Sequence, residues 1–101
     1  MTKFELVHIS GVEPLDGRWV RLWFTDGAIK DVNLAPVLTR GVLAPIGKNR
    51  GLFEQVRVNA RSGTIEWPGD IDLDPVVLYG TFEPASGVTL ERRTVQAPAA
   101  A

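Results

Sequence analysis

Aspartates at alternate positions, Asp70, Asp72 and Asp74, are the first residues whose spacing suggests chemistry. Alternating acids open the calcium loop of an EF-hand, which also needs glycine at its sixth position and glutamate at its twelfth. Counted from Asp70, those positions hold Pro75 and Thr81, so the loop is excluded. Paired carboxylates also perform acid–base hydrolysis, but they need a cleft and a shifted pKa, which nothing in this short chain indicates. We expect Asp74 to cap a helix that begins at Pro75, and Asp72 to bind turn amides.

Other reactive side chains are few. The chain has no cysteine and one histidine, His8, with Ser10 two residues away on the same strand face. A serine nucleophile needs a base that is itself oriented by an acid, and this pair lacks one. Gly41, Gly47 and Gly51 lack the Gly-Lys-Ser/Thr ending of a phosphate loop. We therefore predict no catalytic residue, no metal site and no cofactor, and we expect a protein that is not an enzyme.

Trp19, Arg21 and Trp23 form the most informative set, because they alternate along the clearest strand pattern of the chain. The residues between them are apolar and would fill the core: Val20, Leu22 and Phe24. Tryptophan and arginine dominate interface hot spots, and they can also stack on bases. Three alternatives follow for this face: it is covered within the monomer, it is a protein interface, or it binds nucleic acid or a small ligand.

Charge is distributed unevenly along the sequence. A basic stretch between residues 40 and 61 contains Arg40, Lys48, Arg50, Arg57 and Arg61. Five acids and no base follow between residues 66 and 83. The basic stretch would suit nucleic acid, although a DNA-binding domain is usually more basic than a chain with a net charge of −1. The alternative is that both stretches are solvated surface and attract each other within the fold.

Asp26-Gly27 predicts a hairpin between this strand and a third strand at residues 28–34. A two-residue loop would place Asp31 against the core, whereas a three-residue loop places Val32 there instead. The second register separates polar from apolar residues better. We therefore predict a type I turn followed by a bulge, with Gly27 in the left-handed conformation.

The whole pattern predicts the α+β class: a small antiparallel sheet with short helices packed on one face. The expected strands are 4–12, 18–24, 28–34, 56–60 and 64–67, and the expected short helices follow Asn33, Asn49 and Asp74. We expect one domain over residues 1–82 and a C-terminal extension over residues 83–101. Within the extension, residues 88–96 form either an added strand or a loose helix, and the last residues fray.

Several short motifs follow one another between Val7 and Tyr79. They contain, in order, Asp26, Gly27, Phe53, Trp67, Pro68, Asp72, Asp74, Pro75, Leu78 and Tyr79. In this order they resemble a small bacterial family known as domain of unknown function 2442. The resemblance implies a structural role for these residues and an α+β fold like that of the N-terminal domain of a nitrifying-bacterium protein. It implies no established activity.

Genes of that family often lie beside genes for small toxin-like proteins, which implies an antitoxin-like or partner-binding role. We expect a protein-interaction module that masks a protein partner with Trp19, Arg21 and Trp23. The product of the adjacent gene is the first candidate partner, and a second copy of the chain, paired through an exposed strand edge, is another. The alternative function is a nucleic-acid-associated regulator that uses the basic stretch.

Some relatives carry a C-terminal helix-turn-helix domain, and we expect none here, because about twenty residues after Tyr79 are too few for one.

The sequence also bears on the location of the protein. No apolar run approaches the ~20 residues of a membrane helix, and the N-terminal residues do not form a secretory signal. We expect a cytoplasmic protein with no membrane contact.

Overall fold

The computed structural model describes residues 8–39, 41–73, 78–80 and 90–96. The strands are β1 Ile9–Pro14, β2 Trp19–Phe24, β3 Ile29–Asn33, β4 Arg57–Asn59, β5 Thr64–Trp67, β6 Ile71–Asp72 and β7 Arg92–Val95. The helices are two 3-10 turns at Ala35–Val37 and Gly41–Leu43, followed by α1 Ala44–Lys48 and α2 Arg50–Phe53. The predicted α+β class is confirmed. Nowhere in these ranges does a helix reach the length and hydropathy that crossing a membrane requires.

The strands form two antiparallel sheets where the sequence predicted one. A four-stranded sheet has the order β1-β2-β3-β7, and a three-stranded sheet has the order β4-β5-β6. The backbone N–H of Ile9 donates to the carbonyl of Gly63 at 2.8 Å, which joins the two sheets where β1 begins. Strand β6 was not predicted. It forms because Gly69 and Asp70 both take positive φ, +95° and +61°, and reverse the chain.

The hairpin register is confirmed. Val20 faces Val32, and the loop between β2 and β3 holds three residues. Gly27 has φ +92°, as the bulged turn requires, and its N–H donates to the Phe24 carbonyl at 3.0 Å. The Asp26 carboxylate accepts from the N–H of Ala28 at 2.9 Å and closes the turn.

The core lies between the two sheets and the short helices. Its buried apolar side chains are Ile9, Val20, Leu22, Phe24, Val32, Leu34, Leu38, Ile46, Phe53, Ile65, Trp67, Leu78 and Leu90. Trp67 packs against Phe53 with ring centroids 6.5 Å apart, and its indole N–H donates to the Phe53 carbonyl at 3.0 Å. Tyr79 lies edge-on against Phe24, with ring centroids 4.9 Å apart.

The helix caps agree only in part with the sequence. Asn49 caps α2 as predicted, and its side chain accepts from the N–H of Leu52 at 3.1 Å. Asn33 is not the cap of the first 3-10 turn, since that position is Leu34; Asn33 instead accepts from the N–H of Ala35 at 3.0 Å. Asp72 lies exposed in strand β6, opposite Glu66, rather than in a turn.

The C-terminal part of the fold includes a helical segment at Leu78 and Tyr79. The predicted cap and helix start at Asp74 and Pro75 lie outside the described residues. Gly80 follows with φ +107°. Of the two alternatives for residues 88–96, the strand is present: β7 pairs antiparallel with β3 and extends the larger sheet.

Candidate functional site

The side of the four-stranded sheet that faces away from the core is the candidate site, and we call it the outer face. In β2, Trp19, Arg21 and Trp23 are partly exposed, while the residues that alternate with them are buried. The predicted division of this strand between core and surface is therefore confirmed. The sheet register places three residues of β3 on the same side: Ile29, Asp31 and Asn33.

A row of alternating charges crosses the outer face. Glu13, Arg21, Asp31 and Arg93 are cross-strand neighbours on β1, β2, β3 and β7. Arg21 donates to both oxygens of Asp31, at 2.8 and 3.1 Å, and the Asp31 side chain is only 6% exposed. The hydrogen bond to Asp31 raises the pKa of Arg21. A carboxylate with this little water contact needs such a bidentate partner, so the pair is fixed in place.

Trp19 is partly covered by a cation. The guanidinium carbon of Arg93 lies 4.1 Å from the centroid of the Trp19 ring, and the same guanidinium is 3.7 Å from Asp31. Sequence reasoning missed Arg93, because its position beside Trp19 depends on how β7 pairs with β3. The last described strand therefore completes the site that β2 begins.

Trp23 occupies an apolar row beside the charged one. Its cross-strand neighbours are Gly11 on β1 and Ile29 on β3, and Val95 on β7 lies beyond Ile29. A Cβ at Gly11 would be 3.2 Å from Cε3 of Trp23, so the ring lies directly on the glycine backbone. Glycine at this position lets the indole lie against the neighbouring strand.

An open groove of about 570 Å³ runs beside Trp19. It is lined by Pro14, Leu15, Asp16, Trp19, Arg21, Asp31, Arg50 and Arg93. Arg50 forms one wall and donates to the carbonyls of Leu15 and Gly17, at 2.8 and 2.5 Å, and to Glu54 at 2.9 Å. The groove thus combines one aromatic ring with three guanidinium groups and two carboxylates.

The basic stretch does not form a group of unpaired cations. Arg40 lies outside the described residues. Arg57 pairs with Glu66 at 2.9 Å. In this pair the basic and acidic stretches attract each other within the fold, as the alternative to nucleic-acid binding predicts. Hydrogen bonds from Asn59 and then from Arg57 lower the pKa of Glu66. Lys48 and Arg61 are exposed on separate segments.

A second polar cluster joins the β2–β3 turn to Tyr79. The Tyr79 hydroxyl donates to Asp26 at 2.5 Å, which lowers the pKa of Asp26 and raises that of Tyr79. The Lys30 ammonium lies 3.7 Å from the Tyr79 ring centroid and donates to the Tyr79 carbonyl at 2.7 Å. Burial lowers the pKa of Lys30. Lys30 was missed, although the predicted register already placed this polar residue on the core side.

The histidine and serine near the chain start do not form a catalytic pair. The Ser10 hydroxyl donates to the Trp23 carbonyl at 3.2 Å, and His8 is exposed next to Gly63. No group of three potential metal ligands occurs within the described ranges.

A family model for a protein of unknown function (DUF2442) matches residues 9–84. This match confirms the resemblance that the motifs indicated. No curated protein and no solved structure matches the chain significantly.

Proposed function

The chain belongs to the DUF2442 family, and from this premise we propose that it is a non-enzymatic protein-interaction module whose outer face docks a protein partner. The observation that supports this most is the fixed placement of two partly exposed tryptophans. Trp23 lies on Gly11, and Trp19 lies under Arg93. Side chains already held in position lose little entropy on binding, so more of their buried area contributes to affinity.

The composition of the outer face also suits a protein partner. Trp23, Ile29 and Val95 provide an apolar row, and the adjacent charged row supplies hydrogen-bonding groups. An apolar centre beside a polar margin is the usual anatomy of a protein interface. Tryptophan and arginine are the residue types that most often dominate binding there.

The absence of enzyme activity belongs to the same proposal. Asp31 is the carboxylate at the centre of the outer face, and both of its oxygens already accept hydrogen bonds from Arg21. That arrangement leaves it poorly placed to exchange a proton with a substrate.

We also propose that the role is antitoxin-like and cytoplasmic, with the product of the adjacent gene as the partner. Gene neighbourhood in the resembling family supports the choice of partner. If the outer face binds over the active surface of the partner, it inhibits the partner by blocking access and needs no catalytic step. A second copy of the chain is the competing occupant and would be detected as a dimer of the isolated protein.

The test is to co-express the chain with the product of the adjacent gene and to measure their affinity by calorimetry. Val42 is 70% exposed in a 3-10 turn outside the four-stranded sheet, so Val42→Ala is a control for apolar truncation. We expect Trp23→Ala to weaken binding about 30-fold, the effect of a hot-spot residue, and Val42→Ala to leave it unchanged. If Trp23→Ala kept full affinity, the outer face would not be the docking surface.

A further inference from the structure

The three guanidinium groups of the groove differ in how many of their donors are already used. Arg50 donates from three nitrogens to Glu54 and to two backbone carbonyls. Arg21 donates from two nitrogens to Asp31. Arg93 makes no hydrogen bond within the described part of the chain, and its ion pair with Asp31 spans 3.7 Å. Arg93 therefore keeps donors available for a further anion.

Arg93 is also held in place for such an anion. Its side chain is 64% exposed, yet its guanidinium lies 4.1 Å from the Trp19 ring centroid. A guanidinium over an indole is attracted to the ring, and its planar fork of N–H donors can also bind a carboxylate in bidentate fashion. The contact with Trp19 favours orientations of Arg93 that keep its guanidinium over the ring.

Charge selects the class of anion. The groove lining has three cations, Arg21, Arg50 and Arg93, and two carboxylates, Asp16 and Asp31. Arg50 is also paired with Glu54 at 2.9 Å, so the formal charges around the groove balance, and Arg93 is the cation with donors still available. A ligand with a single negative charge therefore suits Arg93. A phosphate dianion or a nucleic-acid backbone would bring more negative charge close to two carboxylates.

We propose that the groove is a carboxylate site, in which Arg93 binds an aspartate or glutamate side chain of the protein partner. The identity of the partner rests on the proposed function, since it assumes that the outer face docks a protein. The apolar row then receives the partner's neighbouring apolar residue, and the carboxylate fixes the orientation of the complex.

The first test uses the complex with the product of the adjacent gene. Arg61→Gln removes an exposed arginine in the turn after β4 and serves as the matched control. We expect Arg93→Gln to weaken binding about tenfold or more, Arg93→Glu to weaken it further, and Arg61→Gln to have no effect. A single Asp→Arg or Glu→Arg substitution in the partner should restore affinity for the Arg93→Glu variant. Thermal melting of each variant checks that β7 still pairs.

The outcomes separate the two proposals. If Trp23→Ala weakens the complex and Arg93→Glu does not, the carboxylate site is wrong and the docking face stands. If the unaltered proteins form no complex, the docking proposal fails. The carboxylate site is then tested by titrating the isolated protein with sodium acetate and following its NMR spectrum. Saturable shifts of the Arg93 Nε–H and Trp19 indole N–H resonances that are lost in Arg93→Gln support the carboxylate site, whereas no saturable shift, or tighter binding of inorganic phosphate than of acetate, overturns it.

Discussion

Arg93 lies over Trp19, with its guanidinium carbon 4.1 Å from the centroid of the indole ring. The contact joins β7, the last described strand, to the first residue of β2, and the two residues are 74 positions apart in the sequence. It means that β7 is part of the outer face rather than an appendage to the sheet. The cation and the ring together define one end of the groove.

Removing the carboxylate at the centre of the charged row should destabilise the fold. In Asp31→Ala, Arg21 and Arg93 lose the carboxylate that they share. Both hydrogen bonds of the Arg21 guanidinium go to Asp31, so this substitution removes them together. We expect the free energy of unfolding in urea to fall by about 1.5–3 kcal/mol. Glu13→Ala, an exposed position in the same row, should change it by less than about 0.5 kcal/mol. If Asp31→Ala changed the free energy of unfolding as little as Glu13→Ala is expected to, the Arg21–Asp31 pair would contribute little to stability.

A methyl group at Gly11 should displace Trp23. The added Cβ would lie 3.2 Å from Cε3 of that ring, so the indole must move by a few tenths of an ångström. We expect Gly11→Ala to lower stability by about 1 kcal/mol and to shift the Trp23 indole resonance in an NMR spectrum. The Trp67 indole, which is buried and belongs to β5 in the three-stranded sheet, should keep its resonance. An unchanged Trp23 signal would mean that the ring does not rest on Gly11.

Gly47 and Gly51 offer a matched pair in the helical segment. A Cβ at Gly47 would lie 2.1 Å from the backbone carbonyl oxygen of Leu38, whereas at Gly51 the nearest contact is 3.3 Å, to the Asn49 side chain. We expect Gly47→Ala to cost about 2–3 kcal/mol of stability, because the backbone at Leu38 cannot yield easily. Gly51→Ala should cost less than about 1 kcal/mol. Chemical denaturation of both variants measures the difference, and a tolerated Gly47→Ala would contradict the close approach.

The bond from Tyr79 to Asp26 should make stability depend on pH. The pKa of Asp26 lies below its ordinary value of 3.8, so its contribution is present above that pH and is lost as the pH falls through the lowered value. The pKa of Tyr79 lies above 10.0, so its contribution is present below that pH and is lost as the pH rises.

We therefore expect Tyr79→Phe to be less stable than the natural chain by a small, constant amount from about pH 5 to pH 9. The difference is small because Asp26 is exposed, and it should narrow at both extremes. Thermal melting across this range tests the cluster. A difference that widens below pH 4, or one that is absent throughout, would show that the hydrogen bond does not contribute.

The parts of the fold that could be predicted are those set by local pattern. In β2 and β3, alternation and Asp26-Gly27 together determine the register, since a one-residue slip would bury Asp31 in the core. Asn49 is likewise readable as a cap, because its side chain binds an amide three residues later. Each of these inferences depends on residues close together in the sequence.

The parts that could not be predicted depend on long-range pairing. Nothing near Arg93 indicates that it will lie beside Asp31, since that depends on the antiparallel register of β7 and β3. Strand β6 has two residues and follows a turn in which Asp70 takes a positive φ, which is uncommon outside glycine. The division into two sheets likewise depends on which strands pair over long range, and local sequence does not indicate this.

The central claim, that the outer face is where the protein partner docks, is tested most directly by the three tryptophan indole resonances. The product of the adjacent gene is added to the isotope-labelled chain, and the signals are followed to saturation. We predict that Trp19 and Trp23 shift, while Trp67, fully buried with its N–H bonded to Phe53, remains in place. A complex that forms while the signals of Trp19 and Trp23 stay unchanged would contradict this assignment.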